Sequence, residues 1–257
     1  MRPDGVLLDI DGVLTVSWEP IPGAAEALAW LRSERIPFRL ITNTTTHARA
    51  ALAATLREAG FDVRDEEVVT AVVATAAYLR THHSGATVYV LSDGDPRPDL
   101  EGVRLGPIEE ADVVVLGGAC DAFSYAAINR VFQRLIEGAV LVGMHRNRYW
   151  RTTEGLQLDA GAYLRGLEEA AGVEATVCGK PEPAFFASVL DLLGAPPERA
   201  LMVGDDIGVD VLGAQAVGIT GVLVRTGKFR EDDLARGTPD HVLDSIAQLP
   251  DLLGARR

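Results

Sequence analysis

Apolar positions along the chain follow two rhythms: short continuous runs, and longer stretches with apolar residues three or four apart. Val6-Leu7-Leu8 is a run of the first kind, ending in acidic residues and Gly12. It predicts a buried parallel strand whose carboxyl end carries polar groups. Pro22-Gly23 then opens a stretch of the second kind, with Ala24, Ala27, Leu28 and Leu31 on one helix face. Phe38-Arg39-Leu40-Ile41 is the next strand, ending at Thr42-Asn43, and a helix from His47 to Glu58 follows, closed by Gly60. The last third repeats the pattern: helix Pro183 to Leu193, strand Ala200 to Val203 ending at Gly204-Asp205-Asp206, helix Val209 to Val217 and strand Thr220 to Val224. A short strand at His241-Val242-Leu243 and a helix from Ser245 finish the chain. Strand and helix in alternation predict an α/β fold on a parallel sheet.

The segment between these parts is far longer than one crossover connection needs. Strands near Thr87 to Leu91, Val113 to Leu116 and Val140 to Val142, and helices near Val72 to Arg80, Tyr125 to Ile136 and Gly161 to Ala171, make it a second α/β domain inserted into the first. The expected division is residues 1–67 with 179–257 for the outer domain and 68–178 for the insertion.

Composition narrows the function. The 257 residues are 47% apolar, enough for a sizeable core, and carry a net charge of −13. That charge argues against a nucleic-acid partner and against adhesion to anionic membranes. It leaves room for an anionic substrate held at a local cation site. Cys120 and Cys178 stand far apart, outside any zinc or disulfide pattern, and read as two buried thiols in a reducing compartment. The apolar run at the amino end breaks at Asp9, which fits no signal peptide, and no apolar stretch reaches the length of a membrane span. A cytoplasmic protein is the expectation.

In an open parallel sheet, ligands bind outside the carboxyl ends of the strands. The candidates there are Asp9 and Asp11, Thr42 and Asn43, and Asp205 with Asp206 and Asp210. In Asp9-Ile10-Asp11-Gly12, strand alternation would put both carboxylates on one side, where they repel unless a cation or proton intervenes. Magnesium takes carboxylates, waters and phosphate oxygens. An acidic turn after a strand is the bland alternative for this segment, and helix capping is the bland alternative for Asp205 and Asp206. Gly179-Lys180-Pro181 is no phosphate-binding P-loop, since Glu174 stands where a glycine is required and Pro181 where Ser or Thr is. Gly227-Lys228-Phe229 fails in the same way.

The order along the chain is a DxDG after the first strand, a hydroxyl at the second strand end, a lysine, then GDxxxxD. This resembles the haloacid dehalogenase superfamily in its aspartate-nucleophile phosphatase form. The resemblance spans nearly the whole chain. The long insertion resembles the α/β cap of subfamily IIA. Thr42-Asn43, Val203-Gly204-Asp205-Asp206 and Arg225-Thr226-Gly227-Lys228-Phe229-Arg230 look most like the branch that contains phospholysine phosphohistidine inorganic pyrophosphate phosphatase. The resemblance implies a Rossmann-like core with an inserted cap of the C2 type, and a magnesium-dependent phosphatase acting on a small phosphorylated substrate. It implies that Asp9 attacks phosphorus to form an aspartyl-phosphate, and that Asp11 is the acid/base, its backbone carbonyl also on the metal. Thr42 and Asn43 would hold phosphoryl oxygens, and Lys180 would neutralise charge on the nucleophile and phosphoryl group. Asp9, Asp11 and Asp205 would bind Mg2+, with Asp210 supporting the metal shell or Lys180. Some relatives in that branch have Ser in the place of the second aspartate. Asp11 equips this chain for full turnover and weakens the transfer of phosphoamide and pyrophosphate substrates.

The cap would decide substrate choice, through the tract His145-Arg146-Asn147-Arg148-Tyr149-Trp150-Arg151, or else that tract is a surface turn leading into a strand. His82-His83 reads as a solvated helix end. Oligomeric state stays open, with a cap surface available for pairing subunits. The competing readings are a non-catalytic phosphoacceptor, a pyrophosphate or phosphoamide hydrolase, and a phosphomutase on the same fold.

Overall fold

The first apolar run becomes the central strand of a six-stranded sheet. The strand order is His241–Leu243, Thr220–Val224, Ala200–Gly204, Gly5–Asp9, Phe38–Thr42, Val68–Thr70. Gly5–Asp9 pairs in parallel with a neighbour on each side, Leu8 lying opposite Val203 and Leu40, and Asp9 opposite Ile41. Its two neighbours come from opposite ends of the chain. The strand order therefore reverses beside Asp9, which is where α/β sheets open a crevice for ligands. The computed structural model that shows this describes residues 2–152 and 155–254.

Both sheet faces are covered, as the unbroken run Val6-Leu7-Leu8 requires, and all three residues are fully buried. Val6, Leu8, Leu40 and Val203 share a core with Leu28 and Leu31 of helix Ala24–Ser33 and with Leu52 and Leu56 of helix Arg49–Glu58. Helix Pro183–Leu193 also packs on the strands Gly5–Asp9 and Phe38–Thr42. It buries Phe185 and Phe186, whose rings meet edge to face at 5.9 Å.

One predicted element takes another form. Val209 to Val217 is not a single α-helix: Ile207–Leu212 is a wide π-type turn, followed by the short helix Gly213–Gln215. Val211 N–H reaches back five residues to Asp206 O at 3.3 Å. Asp206 Oδ1 caps the turn, accepting from the N–H groups of Gly208 at 3.0 Å and Val209 at 3.1 Å. The capping role expected for Asp206 is the one it plays.

By its contacts the chain divides into residues 1–42, 49–69 and 180–257 on one side and residues 43–48 and 70–179 on the other. The second unit has its own four-stranded parallel sheet, in the order Thr176–Val177, Val140–Gly143, Val113–Leu116, Val88–Leu91. Its helices Ala71–His82, Tyr125–Ile136 and Ala160–Ala171 start at Thr70, Ser124 and Asp159, and each of these side chains accepts a first-turn N–H. Two antiparallel hairpins are not predicted as such: Thr15–Val16 with Glu19–Pro20, and Tyr149–Thr152 with Gly155–Leu158, although a strand after the 145–151 turn is one reading of that tract. Both are too short for alternation to mark them.

Both cysteines are free. Cys178 is buried as expected, but Cys120 is exposed, because it lies in the loop after the strand Val113–Leu116. Among the described residues no helix is long and apolar enough to cross a membrane.

Candidate active site

The first unit gathers three carboxylates at the strand ends. Asp9 closes the central strand, Asp205 follows the strand Ala200–Gly204, and Asp210 stands in the π-type turn. One oxygen from each lies within 4.8 Å of the others, and all three residues are buried. Lys180 is buried beside them, with Nζ 2.6 Å from Asp9 Oδ1 and 2.7 Å from Asp210 Oδ1. Nζ also donates to Ile41 O at 3.5 Å. The wide turn aims Asp210 inward: its Oδ2 accepts the Asp206 N–H at 3.2 Å while Oδ1 meets the lysine.

Electrostatics makes this group demanding. Burial pushes the Asp205 carboxyl up to about 8, and the charges of Asp9 and Asp210 add to that, against a weaker pull from Lys228. Burial likewise pushes Asp210 up to about 6, opposed by Lys180. Burial alone would lower the Lys180 ammonium, but Asp210 and Asp9 outweigh it and hold its pKa above the ordinary lysine value. Asp205 therefore retains a proton near neutral pH unless a further cation joins the group.

The donor set fits a hard divalent cation. It is made of carboxylate oxygens, the ligands magnesium prefers. Asp205 Oδ2 accepts the Lys228 N–H at 2.6 Å, whereas its buried Oδ1 has no hydrogen-bond partner among the described residues. A buried carboxylate oxygen without a donor is costly unless a cation takes it. The surrounding glycines leave it room. A Cβ on Gly12 (φ +94) would lie 2.1 Å from Asp205 Oδ2, so only glycine fits there.

The other predicted residues fall as follows. Thr42 is buried at the end of its strand, one residue beyond the Ile41 that pairs with Asp9. Asn43 belongs by its contacts to the second unit, where its Nδ2 donates to Asn147 Oδ1 at 3.4 Å. Asp11 is exposed and outside the group of three. The strand stops at Asp9 and the chain turns, with the N–H groups of Val13, Leu14 and Thr15 all donating to Ile10 O. The turn begins just beyond the strand, and Asp11 stands in it, bridged to Thr15. Asp210 sits beside Asp9 and Asp205 and on Lys180 at once.

In the second unit, Arg146 forms a two-pronged pair with Glu168 at 2.7 and 3.0 Å. His145 is buried, its Nε2 3.9 Å from Asp159 Oδ1, and burial lowers its pKa against the pull of Asp159. Tyr149 is exposed, and the side chains of Trp150 and Arg151 lie outside the described residues. His82 is exposed in a helix's last turn, as read from the sequence, whereas His83 just beyond it is half-buried with its Nε2 shielded from solvent.

A parallel α/β sheet whose strand ends gather three carboxylates and a lysine has the makings of a cation-assisted catalytic site. The haloacid dehalogenase-like hydrolase family matches residues 6–105, and the HAD-hydrolase-like family matches residues 177–249. The chain belongs to the haloacid dehalogenase-like hydrolases, and within them it is an enzyme of the phosphatase type in subfamily IIA. It is 36% identical over 252 residues to human haloacid dehalogenase-like hydrolase domain-containing protein 2, covering 95% of each chain. It is 37% identical over 257 residues to phospholysine phosphohistidine inorganic pyrophosphate phosphatase of Xenopus laevis, covering 96% of this chain and 93% of that one. Among solved structures it matches p-nitrophenyl phosphatase from Archaeoglobus fulgidus at a TM-score of 0.92 and 26% identity, covering 98% and 100% of the two chains.

Proposed function

We propose that this protein is a magnesium-dependent phosphatase that hydrolyses a small phosphorylated metabolite through an aspartyl-phosphate on Asp9. The observation that carries this reading is the buried Lys180, bonded to Asp9 at 2.6 Å and to Asp210 at 2.7 Å beside the half-partnered Asp205. The names of the relatives, one a p-nitrophenyl phosphatase and one a phosphatase of phosphoamides and pyrophosphate, support the same chemistry.

In this mechanism an Asp9 oxygen attacks phosphorus, the bond to the leaving oxygen breaks, and Asp11 supplies that oxygen with a proton. Asp11, now a carboxylate, takes a proton from water. The water oxygen attacks phosphorus, and phosphate leaves with Asp9 regenerated. The exposure of Asp11 suits this exchange with water and leaving group. Lys180 balances charge next to the nucleophile, and the buried Thr42 hydroxyl is available to a phosphoryl oxygen. Asp9, Asp205 and the Asp11 carbonyl would hold Mg2+, with Asp210 steadying Lys180 and the metal shell. When bound, the ion supplies positive charge to the phosphoryl oxygens.

Purified protein is expected to release phosphate from p-nitrophenyl phosphate with Mg2+ present and to lose turnover in EDTA. Equal turnover in excess EDTA would remove the metal from the account. Stable phosphorylation of Asp9 for hours without turnover would favour the phosphoacceptor reading.

A further inference from the structure

The loop Thr226–Lys228 is attached directly to the acidic strand ends. Thr226 Oγ1 donates to Gly12 O, and the Lys228 N–H donates to Asp205 Oδ2 at 2.6 Å. Gly227 (φ +66) lies so close that a Cβ there would stand 2.4 Å from Gly12 Cα and 2.2 Å from Asp205 Oδ2. The backbone of Lys228 is thus fixed against a site carboxylate. The residue itself is exposed, and among the described residues no ion pair or hydrogen bond engages its ammonium. The N–H of Lys228 on Asp205 and the close approach of Gly227 to Gly12 place this unpaired cation next to the acidic strand ends.

Charge balance gives this lysine a task. With all three carboxylates ionised, as a bound cation would keep them, the one ammonium leaves two net negative charges at the site. A divalent cation cancels them, and a phosphoryl dianion then restores both. Lys180 is already committed to Asp9 and Asp210. Among the described residues, Lys228 is the cation whose backbone is bonded to one of these carboxylates and whose ammonium has no counter-ion.

We infer that Lys228 is a substrate-binding residue whose ammonium meets the non-bridging oxygens of the bound phosphate ester. The inference rests on the phosphatase reading of the site. It assigns opposite signs to two affinities. Removing the charge should weaken phosphate binding, while Mg2+, no longer repelled by a neighbouring cation, should bind as well as before or better. A lysine that merely props the loop would, when replaced, misplace Asp205 and weaken both.

Titration calorimetry of wild type, Lys228→Met and Lys228→Arg separates these cases, first with Mg2+ alone and then with inorganic phosphate on the Mg2+-loaded protein. Lys228→Met should weaken phosphate about 10- to 100-fold, the usual range for a hydrogen bond to a charged group. It should leave Mg2+ affinity unchanged or raise it by up to about fivefold. Lys228→Arg should restore most of the phosphate affinity. Unchanged phosphate affinity in Lys228→Met, or loss of both affinities together, would overturn the inference. Lys228-dependent phosphate binding in a protein that hydrolyses no ester would overturn the phosphatase reading and leave this one standing.

Discussion

Asp9→Asn is expected to lower turnover of p-nitrophenyl phosphate at least about a thousandfold while leaving the protein folded. Asparagine nearly matches aspartate in shape, so the packing at the end of the central strand survives. Its amide cannot serve as the anionic oxygen nucleophile, so the covalent route closes at the first step. The change also removes one of three buried carboxylates that crowd one another within 4.8 Å. Lys180 keeps its contact with Asp210 at 2.7 Å. The metal-free variant should therefore unfold at a temperature no lower than wild type, and Mg2+ should raise that temperature less than in wild type. Phosphate release measured beside thermal unfolding, with and without Mg2+, reads all three effects. Retained turnover would remove Asp9 from the role of nucleophile.

Lys180→Met is the second large effect, and it strikes stability as well as rate. Methionine keeps the length of the side chain without its charge. Asp9 and Asp210 would then be buried next to Asp205 with no ammonium among them. Breaking a buried pair by removing one partner costs about 3–5 kcal/mol. The loss should depend on pH, and its sign follows from the groups left behind. Asp210, pushed up to about 6 even beside the lysine, moves higher still without it. At pH 5 it is protonated in the variant and its part of the orphaned charge disappears. At pH 8 protonating the cluster itself costs free energy. Denaturant unfolding in EDTA should show the variant closer to wild type at pH 5 than at pH 8. Turnover should fall about a hundredfold or more, as when a preorganised charge is removed from a transition state. Equal destabilisation at both pH values would contradict this electrostatic account.

The strand ends made the site readable from the sequence. Val6-Leu7-Leu8 and Ala200-Leu201-Met202-Val203 are continuous apolar runs, and such runs locate buried parallel strands well. The rule that ligands gather at their carboxyl ends then singles out Asp9 and Asp205 without any coordinates. Periodicity also located the helices Tyr125–Ile136 and Pro183–Leu193 at their observed bounds. It did not reveal the π-type turn at Ile207–Leu212, because a five-residue backbone reach leaves no mark in the order of apolar residues. That turn is what brings Asp210 onto Lys180. The different exposure of Asp9 and Asp11 was also invisible, since it depends on where the strand stops. Lys228 belongs in the sequence only to a failed P-loop pattern and to a family motif, and gets no role of its own from either, because a single exposed lysine in a loop has no period. Gly227 before it was the available signal, as a glycine forced by close approach to Gly12 and Asp205.

The central claim is that Asp9 carries the phosphoryl group between two chemical steps. The direct test uses Asp11→Asn, in which attack can still occur but water is no longer activated. The variant is mixed with p-nitrophenyl phosphate and Mg2+, quenched in acid, digested, and its peptides weighed. The account predicts one added phosphoryl group on the peptide that contains Asp9, formed together with a burst of nitrophenol. A nitrophenol burst with the Asp9 peptide unmodified, or with the phosphoryl group on another residue, would contradict it.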